Sequence, residues 1–485
     1  MAAAPTPLIN SLFLSLITLQ ALITFPTQTQ SLRPAPSTPP AASIVLTLTL
    51  SKTSLPPPKK RTPTQTSDMV EPLRGVRDGY LIPLNLGTPP QPVQLYMDTG
   101  SDLTWAPCGN LTFSCIDCDE AGITPAKTFS PSLSATCYRD PCGSRFCSDV
   151  HSSDNSLDPC TISGCSLPTL LTSVCPRPCP SFAYTYGGGG AVTGTLTRDT
   201  LHVHASGGGV LVPRFCFGCV GSTYREPIGI AGFGRGPLSL PSQLGFGRTG
   251  FSHCFLPFKY ANSSSLLLVG EASLSYREGM HFTPMLTSPL YPNYYYVGLE
   301  AVTVVVGTTT TTVLPTATAT SLSLREFDSQ GNGGMLMDSG TTYTHLPEPY
   351  YSDLLSTLRS AIGYPRAADV ETKTGFDLCY RVPVVVAVGF PAVTFRFLNN
   401  VSVVVGEESL FYAMAAASNG TVVKCMLMQS MEEEGEEGPA GVFGSFQQQN
   451  LEVVYDLGNQ RIGFRGMDCA SAAPPPRPRG LGGRK

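Results

Sequence analysis

Two short stretches carry side chains that could do chemistry together: "LYMDTGSDLTW" at residues 95–105 and "GMLMDSGTTYTHL" at residues 334–346. Each places an aspartate, Asp98 or Asp338, after an apolar run and ahead of a hydroxyl residue and a glycine. A lone Asp-Thr-Gly is most simply a turn that ends a strand, because Asp and Gly are routine turn residues. At average composition an Asp-Ser/Thr-Gly turns up about 0.2 times in a chain of this length. Two copies in matched surroundings ask for another account. Two carboxylates at hydrogen-bonding distance cannot both ionise easily, so one keeps its proton and the pair titrates as a unit. One member then serves as base towards a water and the other as acid towards a carbonyl. That is what amide hydrolysis needs, with neither a metal nor a nucleophilic side chain.

The flanking residues suit this task. Gly100 and Gly340 permit a tight turn and close backbone approach. Thr99 and Ser339 can hydrogen-bond across the pair and lock the two loops together. Ser101 and Thr341 can hold the outer carboxylate oxygens, the kind of support that keeps a site within tolerance.

Such aspartates must be positioned by strands. The chain has 485 residues, a formal net charge of −4, 42% apolar and 14% charged residues, with Gly 48 and Pro 44. This length predicts two or three domains. Long helical patterns are missing, so the expected class is all-β in the main. The mild charge argues against a nucleic-acid partner. "GYLIPLNLGTPPQPVQLYMDTGSD" reads as a hairpin around a Pro-fixed turn. "YYYVGLEAVTVVVG" reads as a strand, and "PEPYYSDLLSTLRSAI" as a helix. The low-complexity run at 308–330 is expected to be an exposed loop. "MEEEGEEGP" reads as a solvated acidic turn.

The two halves echo one another. After each aspartate comes an apolar-apolar-Gly element, Ile230-Ala231-Gly232 in the first half and Val442-Phe443-Gly444 in the second. Two copies of one lobe would bring the two aspartates together at a pseudo-dyad.

Residues 1–30 read as a cleaved secretory signal, apolar from about Leu8 to Phe25, with a membrane anchor as the rival reading. No later segment is long and apolar enough to span a bilayer, so no stable membrane anchor is expected. Residues 31–78 read as a prosegment or linker, interrupted by the strand-like "SIVLTLTL"; over 31–77, seven basic side chains against two acidic ones suit a mask over an acidic cleft. The N-terminal lobe is then expected at 79–285, the C-terminal lobe at 286–470, and a disordered basic tail at 471–485. Sixteen cysteines suit an oxidising compartment. Twelve of them lie between Cys108 and Cys219. The Cys-x-x-Cys pairs Cys115/Cys118 and Cys216/Cys219 are far apart and make a poor zinc site, so disulfides are expected throughout and no cysteine is left over. Asn110, Asn262, Asn400 and Asn419 are N-glycosylation acceptors. The histidines show no metal spacing, and no Gly-x-Ser-x-Gly or phosphate-cradling motif appears. Neither a metal nor a cofactor is expected.

With these motifs in order, the chain resembles the pepsin-type aspartic proteases, in their secreted plant nepenthesin-like branch. The resemblance rests on "DTGSDLTW", "DSGTT", "YTYGGGGAVTGTLTRDTL", "GIAGFGRGPLSLPSQL", "FSHCF", "FDLCY" and "GSFQQQNLEVVYDLGNQRIGFR", and covers roughly Gly79 to Cys469. It implies a bilobal β fold with a cleft between pseudo-twofold lobes, and Asp98 with Asp338 as catalytic dyad. Tyr186, with Gly187, matches the flap that closes over bound peptide, and Trp105 the tryptophan that packs behind it. A disulfide-laced insertion at 108–179 and the pairs Cys379–Cys425 and Cys254–Cys469 are also implied. The implied activity is a monomeric, secreted endopeptidase, made as a zymogen, active at acidic pH on peptides with apolar residues at the scissile bond. A vacuolar destination is the variant. The alternative is a catalytically weak or inactive pepsin-fold protein that binds cell-wall glycoside hydrolases. One departure stands out: the usual flap Tyr-Gly-Asp-Gly-Ser has glycine here at 188 and 190, which predicts a looser flap.

Overall fold

In the computed structural model, which describes residues 43–51 and 79–472 apart from 116–126, 153–157, 173–174, 206–207, 261–263, 275–277, 315–321, 385–388, 417–419 and 432–437, alternation of apolar and polar residues builds the framework. The segment Ser43–Ser51 is a strand, β1. Its Ile44, Leu46 and Leu48 are 1%, 3% and 0% exposed, so the period of two turns one whole face into the core. The expected hairpin is β2 Gly79–Leu86 and β3 Gln91–Asp98, paired antiparallel from Leu81↔Tyr96 to Leu86↔Gln91. The first half continues with β4 Trp105–Ser114, β5 Tyr138–Arg139, β6 Phe182–Thr185, β7 Ala191–Ala205, β8 Gly208–Tyr224 and β9 Gly229–Gly232. It is followed by β10 Gly250–Cys254 and β11 Ser264–Gly270.

These strands belong to one 14-stranded sheet that runs through both halves of the chain. From one edge the order is His281–Pro284, Arg461–Gly466, Leu451–Asp456, β10, β11, β1, β2, β3, β9, β4, β8, β7 and β5, with β6 paired to β7. The second half adds a 5-stranded sheet containing Met335–Met337 and Gly441–Phe443. A single apolar core joins Leu84, Phe217 and Phe251 to Val302, Leu354 and Phe443. A smaller one surrounds Trp105, Phe146, Phe182 and Ile230. The expected helix forms at Tyr350–Ala361, burying Tyr350, Tyr351, Leu354, Leu355 and Leu358 along one side.

β1 lies inside the segment expected to be prosegment or linker. Residues 1–30, 52–78 and 473–485 lie outside the described residues, as do Cys118, Asn262, Asn419 and most of the acidic turn. The run expected as a loop at 308–330 is corrected by the structure. Thr309–Leu314 is a strand paired with Leu299–Val306, and Leu322–Arg325 is a helical turn with Leu324 fully buried. The β-branched threonines favour the pleated edge over a loop.

Among the described residues six disulfides have both partners in place: Cys108–Cys219, Cys142–Cys160, Cys147–Cys179, Cys165–Cys175, Cys254–Cys469 and Cys379–Cys425. Cys115 is also disulfide-bonded. The expectation that no cysteine stands outside the disulfides is corrected: Cys137 and Cys216 are free. Cys216 and Cys219 both sit on β8, where three residues of strand span about 10 Å, beyond the roughly 7 Å at which two Cα atoms can be bridged. Cys219 instead meets Cys108 across the parallel β4–β8 pair.

Candidate active site

Asp98 ends β3, and β3 runs parallel to β9 with Asp98 opposite Gly232. Asp338 follows Met335–Met337, which runs parallel to Gly441–Phe443 in the same manner. The two apolar-apolar-Gly elements read from the sequence are therefore the strands that flank the two aspartates. Phe233 N–H donates to the Asp98 carbonyl at 2.7 Å, and Asp338 N–H donates to the Phe443 carbonyl at 3.2 Å.

The two loops meet. A Cβ on Gly340 would stand 2.2 Å from Asp98 Oδ1, and one on Gly100 would stand 2.7 Å from Asp338 Oδ1. Each carboxylate thus leans over the other loop's glycine, and any side chain at either glycine would displace an acid. Inside its own loop each acid accepts two hydrogen bonds. Gly100 N–H reaches Asp98 Oδ1 at 2.9 Å and Ser101 Oγ reaches Oδ2 at 2.6 Å. Gly340 N–H reaches Asp338 Oδ1 at 2.7 Å and Thr341 Oγ1 reaches Oδ2 at 2.5 Å.

Thr99 and Ser339 hold the loops to one another. Thr99 Oγ1 donates to the Met337 carbonyl at 2.8 Å and accepts from Ser339 N–H at 2.9 Å. Ser339 Oγ donates to the Met97 carbonyl at 2.9 Å and accepts from Thr99 N–H at 3.1 Å. The reciprocity is that of a pseudo-twofold axis passing between the loops.

Tyr186 stands at the start of the turn between β6 and β7. Its N–H donates to the Gly190 carbonyl at 2.8 Å and its carbonyl accepts from Gly189 N–H at 2.9 Å. Trp105 is fully buried, and its Nε1 donates to the Tyr186 hydroxyl at 2.6 Å. Burial first, then the neighbouring Tyr184, Glu226 and Asp98, holds the Tyr186 hydroxyl well above the usual phenol range, so it stays protonated. Gly187 and Gly188 are exposed, with open space where a side chain would go.

Three further residues belong to this neighbourhood and were missed in the sequence. Asp102 accepts from Gly236 N–H at 2.7 Å, yet burial pushes its carboxyl up to about 7. A polar residue inside "DTGSDLTW" was its only signal. Tyr294 is half-buried, and burial together with the charges of Asp102, Asp98 and Asp338 pushes its hydroxyl up to about 12. Nothing in "YPNYYY" told one tyrosine from the next. Glu226, 2% exposed, reaches under the turn that carries Tyr186, although about 40 residues separate the two. Asn110 and Asn400 are exposed on strand and turn positions and take no part in the site.

A mainly β, two-lobed fold with paired Asp-Thr/Ser-Gly loops at its centre defines the pepsin-like class. Residues 80–271 match the family described as xylanase inhibitor N-terminal, and residues 294–466 the family described as xylanase inhibitor C-terminal. The chain is 35% identical over 431 residues to a probable aspartyl protease of Arabidopsis thaliana, covering 81% of this chain and 82% of that one. It is 32% identical over 398 residues to aspartic proteinase nepenthesin-1 of Nepenthes gracilis, covering 81% and 78%. Among solved structures, basic 7S globulin from soybean superposes with a TM-score of 0.59 at 20% identity, covering 88% of this chain and 98% of that one. Conglutin gamma from lupine seeds gives 0.60 at 18%, covering 89% and 98%. The chain belongs to the pepsin-like aspartic protease family, in its plant nepenthesin-like branch.

Proposed function

We propose that the chain is an aspartic endopeptidase that hydrolyses peptide bonds at acidic pH, secreted as a disulfide-rich glycoprotein. The observation that carries this reading is the mutual placement of Asp98 and Asp338, each carboxylate lying over the other loop's glycine. Two acids so close hold one proton between them. The ionised member takes a proton from the attacking water, while the protonated member donates to the scissile carbonyl oxygen. The carbonyl becomes tetrahedral, and the C–N bond breaks as the leaving nitrogen takes back a proton from the pair. The hydroxyls of Ser101 and Thr341 keep the outer carboxylate oxygens fixed through these exchanges. Tyr186, tied to Trp105, closes the other side of the cleft, so that peptide is held with little water around it. Exposed Asn110 and Asn400 suit glycosylation.

The test is digestion of an unfolded protein between about pH 3 and 6, with inhibition by a statine-type transition-state analogue. Asp98→Asn and Asp338→Asn should each lower kcat/KM at least about a thousandfold while the protein stays folded. A purified chain that cleaves nothing at any pH, yet inhibits a glycoside hydrolase, would replace this reading with the hydrolase-binding one.

A further inference from the structure

The turn that carries Tyr186 is built from four consecutive glycines, 187–190, and the space behind its last glycine is taken. A Cβ on Gly190 would stand 2.0 Å from Glu226 Oε1, 2.8 Å from Cδ and 3.0 Å from Cγ. The whole end of the Glu226 side chain therefore fills the place where a side chain at 190 would lie. Gly190 is buried and Glu226 is 2% exposed, so this contact is a packed one. Gly189 rests on the neighbouring residue, with a Cβ there 3.0 Å from Arg225 Nη1.

The chain reaches this arrangement by a local device at the end of β8. Arg225 adopts a left-handed backbone, φ 63°, which a non-glycine residue seldom takes. Its N–H donates to the Ser114 carbonyl at 2.9 Å, and its guanidinium lies 5.1 Å from the centre of the Tyr224 ring. The kink turns the chain off the line of β8 and carries Glu226 under the turn, just before β9 begins at Gly229. Glu226 is near enough to Tyr186 for its charge to act on that hydroxyl.

We propose that Glu226 is the positioning residue of the flap: from beneath, its side chain fills the space under Gly190 and sets where Tyr186 stands over Asp98 and Asp338. The proposal rests on the protease reading for its kinetic consequence but not for its structural one. Glycine at 190 and glutamate at 226 are then a matched pair. The looseness expected from the glycine run is offset by a side chain supplied from the adjoining strand end, and Gly190→Ser recreates the usual flap residue only if Glu226 is shortened.

Trp105 is the chain's single tryptophan and is bonded to Tyr186, so its fluorescence reports on the flap whether or not the protein cleaves peptides. The experiment compares the full chain with Glu226→Ala, Glu226→Gln, Gly190→Ser and the double variant Gly190→Ser/Glu226→Ala. It reads acrylamide quenching of Trp105, thermal midpoint, and KM and kcat on an apolar fluorogenic peptide. Glu226→Ala is expected to raise the quenching constant about threefold by local opening, with the thermal midpoint little changed. KM should rise about tenfold while kcat stays within about twofold, a split that general destabilisation would not produce. Glu226→Gln, which keeps the shape, should stay close to wild type. Gly190→Ser alone should mimic Glu226→Ala, and the double variant should recover both quenching and KM. Unchanged quenching and KM in Glu226→Ala would overturn the proposal, as would a double variant no better than Gly190→Ser. If wild type cleaves no peptide the protease reading fails, while quenching in the four variants still decides the role of Glu226.

Discussion

Thr99 and Ser339 matter to the site in a different way from the acids beside them. Their four reciprocal hydrogen bonds are buried, so deleting one hydroxyl strands a partner away from water. Thr99→Val and Ser339→Ala should each cost about 1–3 kcal/mol of stability by denaturant unfolding. Because both belong to one network, their effects should not add, with a coupling of about 0.5–3 kcal/mol in a double-mutant cycle. Additive losses would show that the two loops are held independently. At this scale the dyad was legible because residue type and spacing repeat: Asp, hydroxyl, Gly, hydroxyl, twice. Glu226 was not legible, since its meaning comes from a kink at Arg225 that no local pattern announces.

Among the elements, β1 changes the expectation most. It is paired over seven residues with β11 and continues onto β2, with three apolar side chains fully sequestered. Removing them would expose Leu267, Val269 and Ile82, now buried beside them, and each lost side chain would cost roughly 1.5–3 kcal/mol. The sequence of residues 52–78 contains Pro56, Pro57, Pro58, Pro63 and Pro72 and no apolar-polar alternation, the pattern a replacement strand would need. The mature protein is therefore expected to keep Ser43–Ser51, joined to the rest or held as a bound fragment. Mass spectrometry of the purified protein after denaturation should find these residues. A folded protein of undiminished thermal midpoint that lacks them would refute this. Leu48→Ala should cost about 2–5 kcal/mol. The alternation of "SIVLTLTL" announced a strand, but whether it belonged to a lobe or to a detachable segment depended on partners more than 200 residues away. The threonine run at 309–314 teaches the converse: low complexity suggested a loop, and pairing with Leu299–Val306 decided otherwise.

For the molecule as a whole, two buried groups set opposing responses to pH. Burial raises the Asp102 carboxyl from 3.8 to about 7, so the neutral form is favoured in the folded state. Its contribution to stability is complete below about 3.8 and is lost as pH rises through about 7. Burial lowers the His253 imidazole from 6.5 to about 3, against the ring of Phe255 at 3.8 Å. Its contribution is complete above 6.5 and is lost as pH falls through about 3. Over the acidic window the two slopes offset each other. Relative to wild type, Asp102→Asn should make the thermal midpoint climb more steeply between about pH 4 and about pH 6.5, and His253→Phe should make it fall. Parallel curves for all three proteins would remove both groups from the account.

The amino-acid order alone determined that two copies of one motif exist, that strands precede them, and that cysteines staple the first half. These are short-range facts, written in periods of two and in tripeptides, and they survive without knowledge of the partners. Only the tertiary structure decided which carboxylate leans over which glycine, that Cys219 bonds to Cys108 and leaves Cys216 free, that β1 belongs to the central sheet, and that Glu226 lies beneath Gly190. Each of those depends on contacts between residues far apart in the chain, where close packing leaves room for one side chain and not another.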